Sequence, residues 1–240
     1  MSGYLANQAA VVTGGTKGIG RRIAEKLLEE QASVVICGRK QASVAQAVEE
    51  MSKSAPGRVD GKACDVGRYE DVKALFQFVR ERFGRLDVLV NNAGVGEFRP
   101  VDQITPEQWR ETIETNLSGP FYCTREAVPL MRQNKRGYII NIASLAGKNP
   151  INGGSAYNAS KFGLVGFSEA SMLDLRYDNI RVSYVMPGSV ATEFAGHAGT
   201  SEAWKISPAD IADTVLHLLQ LPARTLASRV EIRPTQPPRK

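Results

Sequence analysis

The chain is poor in the residues that several common kinds of site require. Its only histidines, His197 and His217, are too few and too far apart for a metal site or a histidine-based triad. Its three cysteines, Cys37, Cys64 and Cys123, are odd in number and lack metal-ligand spacing. We therefore expect buried thiols in a reducing compartment, with no disulfide and no metal centre.

Long apolar runs and a basic N-terminal region are also missing. The first residues lead at once into the apolar run at 9–12, which predicts a strand and no signal peptide. No apolar run approaches the roughly 20 residues that a membrane-spanning helix needs. We expect a cytoplasmic protein that does not span a membrane.

Charge is the other quantity that is low. The net charge of +5 is mild and lies partly in the tail at 233–240, while the remaining cations mostly alternate with acids along predicted helices. A nucleic-acid binder would cluster its cations on one face among aromatic side chains. At 240 residues with 42% hydrophobic content, the chain suits a single globular domain, 1–240.

Short apolar runs, rich in β-branched residues, alternate with longer helical stretches. The runs are Ala9–Thr13, Ser33–Cys37, Val59–Asp65, Asp87–Asn91, Tyr138–Ala143, Ile180–Met186 and, more weakly, Ser228–Ile232. This alternation predicts a doubly wound, Rossmann-like parallel sheet of about seven strands in a three-layer α/β/α arrangement. Gly84 and Gly137 are predicted helix C-caps, and Thr105 and Ser207 are predicted N-caps.

A glycine-rich loop follows the first predicted strand. Gly14, Gly18 and Gly20 precede a helix predicted from about Arg21 to Glu30. Glycines let the backbone approach a ligand closely, and a helix N-terminus offers free N–H donors to a pyrophosphate. The loop therefore predicts a dinucleotide site.

Two Tyr-x-x-x-Lys pairs occur, and their contexts differ. Both Tyr157/Lys161 and Tyr69/Lys73 have the i, i+4 spacing that places the two side chains on one helix face. Only Tyr157 has a serine, Ser144, upstream at a predicted strand end. We expect Lys161 to lower the pKa of Tyr157 so that it exchanges protons near neutrality, and Tyr69 and Lys73 to lie on a helix surface.

Five motifs together resemble one known family. They are Thr13-Gly14-xxx-Gly18-Ile19-Gly20, Asn91-Asn92-Ala93-Gly94, Ser144, Tyr157-xxx-Lys161 and Pro187-Gly188. In this order and over nearly the whole chain, the pattern resembles the classical short-chain dehydrogenases/reductases. The resemblance implies an oxidoreductase that transfers a hydride between a nicotinamide and a carbonyl or secondary alcohol.

The resemblance also implies residue roles. Ser144 would hold the substrate carbonyl, Tyr157 would donate the proton, Lys161 would bind the nicotinamide ribose, and Asn116 would position a proton-relaying water. The expected cofactor contacts are Gly14, Thr16, Lys17, Gly18, Ile19, Gly20, Arg39, Lys40, Asp65, Val66, Asn92, Ala93, Gly94, Tyr157, Lys161, Pro187, Gly188, Val190 and Thr192.

The end of the second strand indicates which cofactor is preferred. NAD enzymes usually carry an acid there, whereas this chain has Gly38 followed by Arg39 and Lys40. With Lys17 nearby, these cations suit a 2′-phosphate, so NADP(H) is expected over NAD(H). The alternative is that Arg39 and Lys40 only begin an exposed helix.

The substrate is less constrained. A short lid at about 193–206, with Phe194, His197 and Trp204, follows the Pro187 motif. Ketone or aldehyde reduction is expected, and 3-oxoacyl-(acyl-carrier-protein) reduction is the alternative. Two features weaken that alternative: the chain ending at 231–235 differs from that of the carrier-protein reductases, and Asp178 stands where a carrier-contacting base is expected.

Other readings stay open. A non-catalytic nucleotide-sensing regulator would predict losses at Ser144, Tyr157 or Lys161, and none is seen. The extended epimerase/dehydratase group has a different glycine spacing and a longer chain. By resemblance we expect a homotetramer, with a dimer as the alternative.

Overall fold

The computed structural model describes residues 3–194 and 203–238, and a seven-stranded parallel sheet is its centre. The strands are β1 (Ala9–Thr13), β2 (Ser33–Gly38), β3 (Val59–Ala63), β4 (Val88–Asn91), β5 (Gly137–Ile142), β6 (Ile180–Pro187) and β7 (Arg229–Ile232). Their spatial order is β3-β2-β1-β4-β5-β6-β7, and each neighbouring pair is parallel. The predicted doubly wound α/β fold is confirmed.

Helices cover both faces of this sheet. They are α1 (Gly18–Glu29), α2 (Gln41–Ser52), α3 (Tyr69–Phe83), α4 (Pro106–Ile113), α5 (Gly119–Gln133), α6 (Ser155–Leu175) and α7 (Pro208–Gln220). Alternate residues of β1 enter different cores: Val12 packs on the α1/α7 side and Val11 on the α3/α5 side. Burial on both faces explains why the strands are almost continuously apolar. Within the described ranges no helix is long and apolar enough to cross a bilayer.

Three of the four predicted caps are confirmed. Thr105 and Ser207 each form a capping box, with Gln108 and Asp210 respectively. Gly84 ends α3 with a φ of 66°, in the left-handed region that glycine tolerates best.

Two boundary predictions were wrong. Gly137 opens β5, because Asn134 already ends α5 and Lys135 makes the turn with a φ of 55°. A Cβ at Gly137 would collide with the Met131 side chain, so this glycine serves close packing. Helix α1 begins at Gly18 and ends at Glu29, earlier at its start than the prediction, since the loop glycine is its first residue.

The topology positions the site. The chain leaves β1 toward β2 on one side and reaches β4 on the other, so the strand order reverses between β1 and β4. In open α/β sheets a ligand binds beyond the carboxyl ends of the strands at such a reversal. The segments after β1, β4, β5 and β6 all lie at this edge.

Candidate active site

The glycine-rich loop forms a close backbone cradle at the end of β1. Gly14 has a φ of 63°, and a Cβ there would lie 2.9 Å from the Ala93 Cα. A Cβ on Gly20 would overlap the Gly14 carbonyl oxygen and the Asn92 amide. Both positions exclude larger side chains because backbone from the β4 loop lies directly against the cradle.

The first turn of α1 fits an anion. Its N-cap, Lys17, provides no side-chain cap, and no acidic residue lies in the first turn. Free N–H groups and the helix dipole therefore face the cradle without a competing carboxylate. Gly38 lies beside the loop, since a Cβ there would be 3.0 Å from the Thr16 methyl group. These residues fit the diphosphate of a dinucleotide.

Thr13 joins the ends of β1 and β4, a role that the sequence reasoning missed. Its Oγ1 accepts from the backbone N–H of Asn92 at 2.9 Å and of Ala93 at 3.0 Å. The Asn92 side chain in turn donates to the Thr13 carbonyl at 2.9 Å and to that of Gly14 at 3.2 Å. The reciprocal bonds fix the cradle against the Asn92–Gly94 turn.

The predicted 2′-phosphate cations lie on the exposed side of this cradle, and two of them pair with carboxylates. Arg39 donates from Nη1 to Glu111 at 2.7 Å, and the Lys17 Nζ lies 3.2 Å from a carboxylate oxygen of Glu193. Lys40 is the exposed N-cap of α2. The sequence reasoning did not identify the two acids, because they lie far along the chain from the cations.

Asp65 and Val66, the expected adenine contacts, follow β3. The Asp65 carboxylate accepts a hydrogen bond from the Gly67 backbone N–H at 3.0 Å. The Asp65 backbone N–H donates to the Asp71 carboxylate at 3.1 Å. Val66 is buried, and a Cβ on Gly119 would lie 2.9 Å from its Cγ2. The turn is thus held by its own hydrogen bonds and by packing on α5.

Tyr157, Lys161 and Ser144 come together at the carboxyl edge of the sheet. The Ser144 hydroxyl lies near enough to the Tyr157 phenol to influence its pKa, and the Lys161 Nζ lies 5.8 Å from the Tyr157 ring centroid. Lys161 donates to the Ile142 carbonyl at 3.0 Å and is 5% exposed. The i, i+4 spacing on α6 and the short connection from β5 account for this arrangement.

Asn116 lies in a π-helical turn, Glu114–Ser118, between α4 and α5, rather than in a regular α-helix. Its side chain accepts from the Val95 N–H and donates to the Val95 carbonyl, both at 2.8 Å, and it donates to the Ser160 hydroxyl at 3.0 Å. A Cβ on Gly94 would lie 3.3 Å from the Asn116 Oδ1 and 3.9 Å from the Lys161 Nζ. The four predicted catalytic residues therefore share one site.

The pKa prediction for Tyr157 was wrong in direction. Burial raises the pKa of the Tyr157 phenol, and the interaction with Ser144 opposes that rise only in part. Burial also lowers the pKa of the Lys161 ammonium, to about 8. Desolvation penalises both charged forms, and here it outweighs the effect that the i, i+4 spacing suggested.

The second Tyr-x-x-x-Lys pair lies on the surface, as predicted. The Tyr69 hydroxyl donates to Glu126 at 2.6 Å and accepts from Arg125 at 3.0 Å. Lys73 pairs with Glu70 at 2.6 Å, and this contact raises the pKa of its ammonium. The two pairs share a spacing but have opposite lysine environments.

The segment after β6 closes the site from above. Ala191 and Ile206 exchange backbone contacts across the base of the predicted lid, with the Ala191 N–H donating to the Ile206 carbonyl at 2.9 Å. A Cβ on Gly18 would lie 3.6 Å from the Thr192 methyl group, so Thr192 adjoins the glycine loop. Pro187 ends β6, and Val190 packs against the α1/α7 core. The lid histidine, His197, lies outside the described residues.

The cysteines are free and buried, as predicted. Interaction with Cys37, together with burial, raises the pKa of the Cys64 thiol. Burial likewise raises the pKa of Cys123. These thiols are therefore poor nucleophiles at neutral pH.

Comparison with known proteins agrees with this geometry. Residues 8–203 match the family model described as short chain dehydrogenase. A metagenomic short-chain oxidoreductase solved in complex with NADP is 41% identical, with a TM-score of 0.85 over 97% of this chain and 99% of that one. A variant of actinorhodin polyketide ketoreductase solved with NADPH is 32% identical, with a TM-score of 0.86 over 96% and 98%.

The chain is also similar in sequence to a curated protein. A putative ketoacyl reductase of Streptomyces coelicolor is 36% identical over 213 residues, covering 87% of this chain and 81% of its own. With the family match spanning most of the chain and a glycine cradle beside a Ser-Tyr-Lys cluster, this protein belongs to the short-chain dehydrogenase/reductase family.

Proposed function

We propose that the protein is an NADP(H)-dependent carbonyl reductase, with residues 1–240 as one cytoplasmic nucleotide-binding domain. The observation that carries the proposal is the cluster of Ser144, Tyr157 and the buried Lys161, in which the Lys161 Nζ lies 5.8 Å from the Tyr157 ring centroid. NADPH, held by the glycine cradle and by Lys161, would supply the hydride that the carbonyl carbon gains. The chain itself supplies the proton and the donors that stabilise charge on oxygen.

Each residue of the cluster has a distinct role in this proposal. Tyr157 gives its proton to the carbonyl oxygen, and Ser144 donates to that oxygen as charge develops. Lys161 holds the nicotinamide ribose. Asn116 fixes the Val95 backbone through two bonds of 2.8 Å, and it positions the water that returns protons toward Lys161.

The protonation state supports reduction as the working direction. A phenol whose pKa is raised by burial stays protonated throughout the neutral range, which suits a proton donor. Oxidation of an alcohol would need the phenolate, and burial disfavours that form.

NADP(H) is the proposed cofactor because no acid occupies the end of β2. Gly38, Arg39 and Lys40 stand there, and Lys17 lies in the adjoining loop. Binding of a 2′-phosphate would draw Arg39 from Glu111 and Lys17 from Glu193. Both pairs are solvent-exposed and each costs little to break.

Reduction of 3-oxoacyl chains on a carrier protein is the second candidate, and the Streptomyces coelicolor relative favours it. Against it, Asp178 stands where a carrier-contacting base is expected, and it accepts two hydrogen bonds from Arg132, at 2.9 and 2.6 Å. This pair neutralises a cation that could otherwise bind an acidic carrier. A regulator that only senses nucleotides is disfavoured because the cluster is complete.

A homotetramer, or failing that a dimer, is proposed on the exposed apolar side chains of α5 and α6. Phe121 is 45% exposed and Phe162 46%, and Leu173 is also exposed. Pairing of these helices with those of a second copy would cover these exposed apolar side chains. Light scattering after gel filtration, repeated with Phe121→Glu, tests this assembly.

Turnover of carbonyl compounds tests the central proposal. We expect oxidation of NADPH, followed by its near-ultraviolet absorbance, with ketones or aldehydes, and weaker turnover with NADH. Tyr157→Phe should lower kcat at least about 100-fold with the Kd for NADPH unchanged, because it removes only the proton. Tyr69→Phe is the matched control and should behave as wild type. Wild-type turnover by Tyr157→Phe would refute the assigned role.

A further inference from the structure

Two phenylalanines contact the Tyr157 ring. The Phe98 ring centroid lies 5.3 Å from that of Tyr157, and the Phe194 centroid lies 5.7 Å from it on the lid segment. The interplanar angles are 56° and 54°. Phe98 is 41% exposed and Phe194 is 38% exposed, so both present ring surface to whatever enters the site. We call these three residues the aromatic mouth.

Phe98 is held firmly relative to the phenol. At one end of its segment Val95 is bound through both backbone groups by Asn116, at 2.8 Å each. At the other end the Arg99 N–H donates to the Gly153 carbonyl at 2.7 Å, immediately before α6. The segment is therefore tied to the helix that carries Tyr157, and the Phe98 ring is a fixed wall.

Gly96 lets the two walls approach each other. A Cβ at this position would lie 2.6 Å from the Phe194 Cε1 and 3.0 Å from the Phe98 Cε2. Both rings thus contact the same point of the backbone. The two ring edges converge at Gly96, and the exposed parts of both rings form one aromatic surface beside Tyr157.

Among the described residues, three cations near the mouth are paired with carboxylates. Arg99 lies 3.6 Å from Glu97, and Lys148, just past Ser144, lies 3.1 Å from Glu231. Glu193, next to Phe194, pairs with Lys17. A carboxylate or phosphate on the substrate would only replace one exposed ion-pair partner by another, so it would gain little from these cations, and a neutral group gives up nothing.

We infer that the substrate is a neutral ketone or aldehyde that carries an aromatic ring close to its carbonyl. The ring packs between Phe98 and Phe194 while the oxygen meets Tyr157. The inference rests on the proposed reductase activity. Each aromatic contact contributes about 2- to 10-fold in affinity beyond simple apolar burial, so two contacts predict a preference of about tenfold or more.

The test compares ketones matched in size. Holoenzyme with NADPH is assayed with acetophenone, with cyclohexyl methyl ketone, and with the anion benzoylformate. We expect kcat/KM to be about tenfold higher for acetophenone than for either of the others. Calorimetry of 1-phenylethanol and 1-cyclohexylethanol binding to the NADP⁺ complex should give the same order of Kd values.

Variants separate the aromatic mouth from general hydrophobicity. Phe98→Leu keeps an apolar side chain but removes the ring. It should reduce the preference for acetophenone to about threefold. The kcat/KM for cyclohexyl methyl ketone and the Kd for NADPH should each change less than about twofold. Phe194→Leu should act in the same way. Phe83→Leu, at the far end of α3, is the control and should keep the full preference.

The outcomes distinguish this inference from the function on which it rests. Equal kcat/KM for the aryl and cyclohexyl ketones, or equal losses on both with Phe98→Leu, would overturn the inference while confirming a reductase. A higher kcat/KM for benzoylformate would overturn the requirement for a neutral substrate. No turnover of any ketone or aldehyde with either cofactor would overturn the proposed function itself.

Discussion

The buried Lys161 ammonium should lower the free energy of unfolding of the protein. Replacing Lys161 by methionine should therefore increase that free energy. The ammonium is 5% exposed and donates to the Ile142 carbonyl at 3.0 Å, and no described carboxylate forms a salt bridge with it. Burial lowers its pKa from 10.5 to about 8. Because the pKa of Lys161 is lower in the folded state, the folded protein binds fewer protons than the unfolded chain at pH values between the two pKa values. The free energy of unfolding therefore rises as the pH rises through this range.

The magnitude follows from the shift. Near pH 7 the charged lysine costs about 3 kcal/mol of unfolding free energy, and near pH 9.5 the cost is about 1 kcal/mol. Lys161→Met removes this cost but also the hydrogen bond to Ile142, worth about 1 kcal/mol at either pH. We therefore expect the variant to exceed wild type by about 2 kcal/mol near pH 7 and to match it near pH 9.5.

Urea unfolding of both proteins, at one protein concentration and at the two pH values, measures this difference. Lys73→Met is the matched control, because the Glu70 contact raises the pKa of Lys73 and its difference from wild type should not change between the two pH values. Lys161→Met should also be inactive, so a gain in stability would accompany a loss of function. A stability difference that is the same at both pH values would refute the reasoning.

Three further predictions concern the cofactor and the proton donor. The kcat/KM for carbonyl reduction should fall as the pH rises through about 8, because the Lys161 ammonium loses its proton there while Tyr157 stays protonated. Lys161→Arg should move this fall to higher pH. A wild-type pH profile that is flat to about pH 10 would contradict the role of the Lys161 ammonium. Arg39→Asp should lower the ratio of kcat/KM with NADPH to kcat/KM with NADH at least about tenfold. Glu111→Gln should free Arg39 and lower the Kd for NADPH up to about fivefold. An unchanged cofactor ratio for Arg39→Asp would exclude a role of Arg39 in binding the 2′-phosphate. Thr13→Val should lower the unfolding free energy by about 2 kcal/mol in urea and weaken NADPH binding, since two backbone N–H groups lose their acceptor; wild-type stability would show that the hydroxyl does not hold the turn.

Features set by short-range rules could be predicted from the sequence. Strand β1 was predicted with its observed ends, because a buried parallel strand needs a continuous run of apolar residues. The positive φ of Gly14 and the contact between Tyr157 and Lys161 follow from local backbone preference and from helix spacing. The boundary at Gly137 failed because Lys135 makes the turn, although it is not a glycine.

Charge and solvation were decided by the tertiary structure. Whether Tyr157 gains or loses acidity depends on how completely the packed chain removes water from it, and burial raised its pKa where spacing alone suggested a decrease. The partners of Arg39 and Lys17, Glu111 and Glu193, lie 72 and 176 residues away in the chain. Sequence by itself determined the fold class, and it predicted site residues of which Asn116, Tyr157 and Lys161 lie close together in the fold, since periodicity and spacing are local. Only folding brought distant acids and aromatic rings to those residues, because desolvation and ion pairing depend on every group that packs nearby.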